Sequence, residues 1–274
     1  MKHVFFACLS LGLLLSSPSV TLAADTAKKN FVVCSEKQSY PPFGLGDGET
    51  YPKENPGVLV EIISMAGKQR DLKTQHIRLP WKRCLKSLEQ NQVDGVFASI
   101  YLKEREVLGR YPFKTVELNS PAAPDPNRRL VRVSYSLFKR KGSPFSWNGD
   151  GFSNMTRSIG APLGYVVVKK LKEDHGIEAT TVHAASKGFR HVADGHLDAY
   201  IIESNIGRNL INDLNLGDSL MEIKEPFAQY DWYLMISHGF YNKNPEVSEK
   251  LWDEIGEYRE KNMPRLLEHY RKLP

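Results

Sequence analysis

Residues 93–105, VDGVFASIYLKER, decide how this chain folds. The apolar run VFASI behind an Asp-Gly pair is typical of a buried parallel strand, and Lys103, Glu104 and Arg105 then predict the first turn of a helix. Open α/β sheets place ligands where a strand feeds a helix, since the free N–H groups there favour an anion. Arg105 would add a planar, permanently charged fork for a carboxylate. Taken alone, the local sequence favours a plainer alternative, in which Arg105 is a solvated helix residue paired with Glu104 or Glu106.

The first 24 residues predict a secretory signal peptide. Lys2 and His3 give a positive start, residues 4–15 are largely apolar, and Ala23-Ala24 offers small residues for cleavage. The apolar run is too short to span a bilayer, and no later stretch is long and apolar enough. We therefore expect a soluble, periplasmic protein of about 250 residues, which suffices for one large domain or two lobes.

Charge and composition exclude two classes of function. The full chain carries a formal net charge of +5, with acidic residues scattered among the basic ones. The densest basic runs, residues 139–141 and 169–170, have no interleaved aromatic residues, so nucleic-acid binding is not expected. No group of Cys and His has the spacing of metal ligands, so we expect neither a metal nor another cofactor.

Two cysteines follow the predicted signal peptide. Cys34 ends a predicted strand, and Cys84 lies in a predicted helix over residues 81–90. In an oxidising compartment such a pair is more often a disulfide than two free thiols. A βαβ order places this helix beside the first strand, so we predict a Cys34–Cys84 disulfide. Trp81, on the same helix face, is expected in the core.

The predicted elements form two similar βα series, which indicates an α/β fold. The first series has strands at 31–34, 77–79 and 96–100 and helices at 58–68 and 81–90. The second has strands at 130–138, 158–161, 180–182 and 199–202 and helices at 166–174, 186–194 and 205–212. A returning strand at 232–237 and a helix at 245–258 follow, and Gly256 and Pro264 are expected to interrupt or kink what comes next.

Four segments together carry a family resemblance. They are residues 40–43 (YPPF) with 57–61 (GVLVE), residues 85–105, residues 160–171 and residues 194–203 (DGHLDAYIIE). In this order, behind a predicted signal peptide, they make the chain resemble the extracellular solute-binding proteins of the polar amino-acid type, family 3. The resemblance covers nearly all of residues 31–270.

The resemblance implies the two-lobed, type II periplasmic-binding-protein fold. Each lobe would be a mixed sheet flanked by helices, and two crossing hinge strands would join the lobes. The first lobe would comprise residues 25–134 and 229–274, and the second lobe residues 135–228. A monomer would capture a small polar, carboxylate-bearing solute, such as an amino acid or analogue, for an inner-membrane ABC permease. Two alternatives remain, namely a ligand-sensing module of a membrane receptor and a cyclohexadienyl-dehydratase-like enzyme. The sequence shows no suggestive acid–base pair for an enzyme.

The resemblance also assigns the ligand site. Arg105 matches the arginine that holds the ligand's α-carboxylate, and Glu203 matches the acid that holds its α-ammonium. Phe43 and Tyr40 match the aromatic wall. The plainer alternative for Glu203 is an acid that satisfies backbone N–H groups at a helix start.

The chain departs from the family at two points of this site. Ser99-Ile100-Tyr101 stands where the family has a small Gly-Met/Leu-Thr/Ser element, and Tyr165 follows Gly164 where the family has Thr. Two bulky phenols would then replace small hydroxyl residues near the carboxylate. We therefore expect a pocket for a smaller, differently shaped or aromatic ligand.

Overall fold

The computed structural model describes residue 1 and residues 28–46, 48–113 and 123–273. The predicted signal peptide lies, apart from Met1, outside the described residues. Across those described ranges, no helix has both the length and the apolar character that crossing a membrane requires.

The described residues form eleven strands and seven helices. The strands are β1 (Lys29–Glu36), β2 (Leu72–Leu79), β3 (Gly95–Ile100), β4 (Val131–Arg140), β5 (Ser146–Trp147), β6 (Phe152–Ser153), β7 (Ile159–Pro162), β8 (Thr180–Val182), β9 (Ala199–Glu203), β10 (Leu220–Glu222) and β11 (Ala228–Ile236). The helices are α1 (Val58–Gln69), α2 (Trp81–Glu89), α3 (Val166–His175), α4 (Ala185–Ala193), α5 (Ser204–Asp213), α6 (His238–Lys243) and α7 (Pro245–Arg271).

The sheet has the two-lobed arrangement of the predicted α/β fold. Its strand order is β2-β1-β3-β11-β4-β9-β7-β8, with β10 beside β4, and β5 and β6 form a separate hairpin. Strands β1 to β3 are parallel and bury apolar residues in the first lobe, and β7 to β9 do the same in the second. Helices α1, α2 and α7 pack on the first lobe and α3 to α5 on the second.

Strands β4 and β11 cross between the lobes. Residues Ala228 to Trp232 pair with β4, and the end of β11 pairs with β3 in the first lobe. The far half of β4, from Tyr135 onward, pairs with β9 in the second lobe. The lobe boundaries predicted at residues 134/135 and 228/229 fall where Tyr135 faces Ala228. These boundaries stay a prediction.

Among the elements that differ from the sequence-based expectation are β2 and α7. The strand predicted over residues 77–79 begins at Leu72, because alternate exposed polar residues suit an edge strand paired only with β1. The last helix runs unbroken from Pro245 to Arg271. Gly256 lets this helix touch the backbone of Asn127, where a Cβ would lie 2.4 Å from the carbonyl oxygen. An apolar stripe packed on α1 carries the helix through Pro264.

The helix predicted to start at Lys103 is a single 3-10 turn, Lys103–Val107. It ends there because Arg110 bridges to Ile236 and draws the chain back to the sheet. Arg105 therefore does not stand at the N-terminus of an α-helix. Its role rests on its side chain rather than on helix N–H groups.

The predicted disulfide is confirmed. Cys34 in β1 and Cys84 in α2 are bonded, with Cα atoms 5.6 Å apart and both side chains fully buried. The bond fixes the end of β1 against the first turn of α2. Glu36 and Trp81, which lie at those two ends, are thereby held in place.

Candidate functional site

A cavity lies between the two lobes, at the carboxyl ends of β1 and β3. We call it the inner chamber; it is narrow and partly open to solvent. Its lining residues come from both lobes and from both crossing strands. They are Glu36, Tyr40, Trp81, Ala98, Ile100, Arg105, Tyr135, Tyr165, Val166, Ile206 and Trp232.

Arg105 supplies the positive charge of the chamber. Its side chain is only 7% exposed, and it donates from Nη1 to the carbonyl oxygen of Ile100 at 2.8 Å. From Nη2 it donates to the carbonyl oxygen of Gly164, 3.2 Å away in the other lobe. Within the described residues, Arg105 belongs to no ion pair, although Glu104 and Glu106 do. The plainer alternative, a solvated Arg105 paired with a neighbouring glutamate, is therefore wrong.

Trp81 forms the floor beneath this guanidinium. The Cζ atom of Arg105 lies 5.6 Å from the centroid of the Trp81 ring, within the range of a cation–π contact. Trp81 is 7% exposed and packs beside the Cys34–Cys84 disulfide, so the expected core position is correct. Its ring face also lines the chamber, which the helix pattern alone did not predict.

Glu36 supplies the negative charge of the chamber. Its Oε1 accepts from the backbone N–H of Lys37 at 2.7 Å, and its Oε2 accepts from that of Trp81 at 3.2 Å. Burial raises the pKa of this carboxyl, and the backbone hydrogen bonds partly oppose the rise. No described lysine or arginine forms an ion pair with it.

Tyr40 presents its ring to the chamber and its hydroxyl to the protein interior. The hydroxyl lies 3.1 Å from that of Tyr51, which lies 2.5 Å from the Ser35 hydroxyl. Phe43 sits behind this wall, with its ring 5.7 Å from that of Trp232, and does not line the chamber. The YPPF segment therefore contributes Tyr40 directly and Phe43 as support.

The second lobe closes the chamber with the turn before α3. Gly164 has φ +84°, a left-handed conformation that favours glycine, and its carbonyl oxygen faces Arg105. Tyr165 and Val166 follow on the chamber wall. Burial raises the pKa of the Tyr165 hydroxyl well above its ordinary value, so this hydroxyl stays neutral.

The hinge side of the chamber carries a buried donor. Trp232, on β11, is 3% exposed, and its Nε1 makes no hydrogen bond of full geometry in the described part of the chain. Burial raises the pKa of the Tyr135 hydroxyl, which also belongs to the chamber wall, and the Trp232 N–H beside it partly opposes the rise. Because that contact falls outside hydrogen-bond geometry, the buried N–H can still donate to a ligand acceptor.

Glu203 lies beside the chamber but not on its wall. It is 1% exposed and caps α5, where Oε2 accepts from the backbone N–H of Ile206 at 3.0 Å. Its Oε1 accepts from the side-chain amide of Asn205 at 3.0 Å. Burial raises its pKa to about 7. Glu203 therefore has the geometry of the plainer alternative, in which it satisfies backbone N–H groups at the start of a helix.

Ser99 and Tyr101 point away from the chamber. Successive side chains of a strand face opposite sides, and Ala98 and Ile100 occupy the chamber side. The Ser99 hydroxyl lies 2.7 Å from that of Tyr111, and Tyr101 donates to Glu106 at 2.7 Å. The structure thus brings Arg105, Tyr40 and Tyr165 together on the chamber wall, and Gly164 contacts Arg105 through its carbonyl oxygen. The other predicted residues lie off the wall and make no such contact; they are Phe43, Ser99, Tyr101 and Glu203.

Polar contacts join the lobes around the chamber. Lys169 donates to Glu104 at 2.5 Å, and the Asn209 side chain donates to the carbonyl oxygen of Pro41 at 3.2 Å. With the Arg105–Gly164 bond, they hold the cleft in a closed arrangement. Sequence reasoning missed the wall residues Glu36, Tyr135, Ile206 and Trp232, because only tertiary pairing brings them together.

Known structures share this fold. The chain is similar to a histidine kinase sensor domain with similarity to periplasmic binding proteins. The alignment covers 90% of this chain and 97% of that domain, at 14% identity and a TM-score of 0.67. A mutant of ArgBP from T. maritima aligns over 89% of this chain and 96% of its own, at 13% identity and a TM-score of 0.64. The substrate binding protein of an amino acid ABC transporter aligns over 89% of this chain and 100% of its own, at 13% identity and a TM-score of 0.64. No protein-family model and no curated protein sequence matches the chain.

Proposed function

We propose that this protein is a periplasmic binding protein that encloses a small, carboxylate-bearing solute, an amino acid or an analogue, between its lobes. The observation that carries the proposal is Arg105. Its guanidinium is buried in the chamber between the lobes and has no acidic partner among the described residues.

A buried charge is stable only when it is paired or fully hydrogen-bonded. The two hydrogen bonds of Arg105 to carbonyl oxygens orient its planar fork and leave the positive charge uncompensated. A ligand carboxylate would supply that charge and accept hydrogen bonds from the fork. The Trp232 indole N–H would donate to a second acceptor on the ligand.

The walls of the chamber come from both lobes, so a bound solute would hold the lobes together. Residues 1–24 would direct the protein to the periplasm. There it would deliver the solute to an inner-membrane ABC permease.

A second candidate keeps the same site and changes the partner. The similarity to a histidine kinase sensor domain supports a module that reports its ligand to a membrane receptor. A chemical step is not part of the proposal. The described chamber wall carries a single carboxylate, Glu36, and neither a second acid nor a histidine to act with it.

Mass spectrometry of small molecules released by denaturing the purified protein tests the proposal. Wild type is expected to release a carboxylate that raises its unfolding temperature when added back, unchanged after prolonged incubation. Arg105→Ala should abolish that rise, since losing one buried partner costs about 2–5 kcal/mol, roughly 30- to several-thousand-fold in affinity. Arg110→Ala is the matched control, because Arg110 stacks on Tyr241 away from the chamber and should not affect binding. Equal binding by Arg105→Ala and wild type would overturn the proposal.

A further inference from the structure

The geometry points to Glu36, rather than Glu203, as the acid that receives a cationic group of the ligand. The chamber would then select carboxylates whose cationic group stands at the far end of a short carbon chain. This inference rests on the proposed function, in which Arg105 holds the carboxylate.

The described chamber wall carries one positively charged and one negatively charged side chain. Arg105 is the cation, Glu36 is the anion, and neither takes part in an ion pair with any described residue. A solute that carries both a carboxylate and a cation would compensate both charges at once. A plain carboxylate would leave Glu36 partly buried and unpaired, which is unfavourable.

Trp81 stands between the two charges. Its backbone N–H, at the start of α2, holds the Glu36 carboxylate at 3.2 Å, while its ring lies on the side of Arg105, with the centroid 5.6 Å from Cζ. The carbonyl of Ile100, at the end of β3, holds the guanidinium on that side, so the indole side chain separates the two charges. An α-amino acid carries both charges on one carbon and spans less of this gap than a chain with a terminal ammonium.

Glu203 is poorly placed to serve an α-ammonium. One of its oxygens accepts from the Ile206 N–H and the other from the Asn205 amide, and neither forms part of the chamber wall. The same hydrogen bonds begin α5, so turning Glu203 towards a ligand would uncap that helix.

Glu36 also stands at the mouth of the chamber. A second, wider space continues from it, which we call the outer groove; Glu36 and Ile206 border both spaces, and Arg105 borders only the inner chamber. Several charged or titratable side chains border the outer groove, among them Lys37, His183 and Asp213. The ligand would therefore enter with its carboxylate inward and leave its cationic end near the opening.

The aromatic wall fits the carbon chain between the two ends. Trp81 and Tyr165 line the chamber from opposite lobes, and methylene groups can pack on their faces. An ammonium beside these rings would also gain a cation–π contact.

Three isomer-matched probes test the inference by titration calorimetry. They are 5-aminopentanoate, with a terminal ammonium, L-2-aminopentanoate, with an α-ammonium, and pentanoate, with none. Wild type is expected to bind 5-aminopentanoate at least about tenfold more tightly than either of the others, the gain from a charge pair that is largely desolvated. Glu36→Gln keeps an oxygen acceptor for the Trp81 N–H, and it should reduce this preference to less than about threefold.

The probes and variants distinguish a failure of the inference about Glu36 from a failure of the proposed function. If wild type prefers L-2-aminopentanoate, or if Glu203→Gln and not Glu36→Gln removes the preference, the inference fails and the proposed function stands. If none of the three probes binds at millimolar concentration, the inference fails and the proposed function still stands on the released native ligand. If Arg105→Ala binds the probes as wild type does, the proposed function fails and takes the inference with it. Thermal unfolding of each variant shows that it is folded, and the ranking of the probes on wild type tests the inference without any variant.

Discussion

Arg105 donates a hydrogen bond across the cleft to the carbonyl oxygen of Gly164, 3.2 Å away in the opposite lobe. The same guanidinium is the proposed anchor of the ligand, so ligand binding and lobe closure share one side chain. Closure therefore orients Arg105, and Arg105 in turn favours closure.

Substitution of Gly164 should separate backbone strain from the closing contact. Gly164→Ala places a Cβ at φ +84°, 3.2 Å from Cε and 3.3 Å from Cγ of Lys82. Gly176→Ala is the matched control, since φ is +67° there and nothing lies within 4 Å. Both changes should cost about 1–2 kcal/mol of unfolding free energy, measured in urea. Only Gly164→Ala should also weaken binding of the released native ligand in calorimetry; equal affinities for the two variants would contradict this.

The Lys169–Glu104 pair should control how long a ligand stays. The pair joins the lobes at 2.5 Å but is substantially exposed on both sides, so its contribution is small and screened by salt. We expect Lys169→Glu to speed ligand dissociation about two- to fivefold at low ionic strength, in stopped-flow experiments. The reversed pair, Lys169→Glu with Glu104→Lys, should restore the slow rate. If the ligand dissociates from the reversed pair as fast as from Lys169→Glu, the attraction between residues 104 and 169 does not set the dissociation rate.

The disulfide should stabilise the first lobe and, with it, the chamber wall. It closes a loop with a sequence separation of 50, so the chain-entropy model gives about 4 kcal/mol. The double variant Cys34→Ala/Cys84→Ala is expected to lose up to this amount in urea unfolding. Both cysteines are fully buried, so a reductant should not reach the disulfide of the native protein. In urea the reductant should cleave the bond in unfolded chains and lower the measured free energy of unfolding. Two reactive thiols per unreduced, denatured wild-type chain would contradict the bond.

The order of elements was predictable from the sequence because it follows from apolar periodicity. The strands with long apolar runs and the Cys34–Cys84 bridge were located correctly, since burial and the βα order determine them. The length of α7 could not be predicted from the sequence. Gly256 and Pro264 weaken a helix locally, and here the packing of neighbouring elements against α7 keeps it continuous.

The site was predictable only where a local motif contains a residue that faces the cleft. Tyr40, Arg105 and Tyr165 meet this condition. Ser99 was misplaced by one residue, and such a shift in a strand turns a side chain to the opposite face. The backbone of β3 is irregular there, with Ala98 at φ +58°. Glu36 and Trp232 come from strands that are distant in sequence, so no local pattern could place them on one wall.

The titration of Glu203 should appear as a pH-dependent loss of stability. Its carboxyl is 1% exposed, and burial raises its pKa from 4.5 to about 7 in the folded protein. Between these two values the folded state binds a proton that the unfolded chain releases, so stability is greatest below pH 4.5 and falls as the pH rises through 7. The shift corresponds to about 3 kcal/mol. Glu203→Gln keeps a neutral acceptor for the Ile206 N–H and cannot lose a proton.

The free energy of unfolding of wild type and Glu203→Gln should therefore be compared in urea from pH 4 to 8. The two proteins are expected to be similar near pH 4, and the variant should become more stable by up to about 3 kcal/mol near pH 8. Using the difference between the two proteins removes the other groups that titrate in this range, since they are common to both. Parallel curves, or a wild type that gains on the variant as pH rises, would show that the Glu203 carboxylate is ionised in the folded protein at low pH. Its hydrogen bonds to the start of α5 would then outweigh the cost of burying its charge.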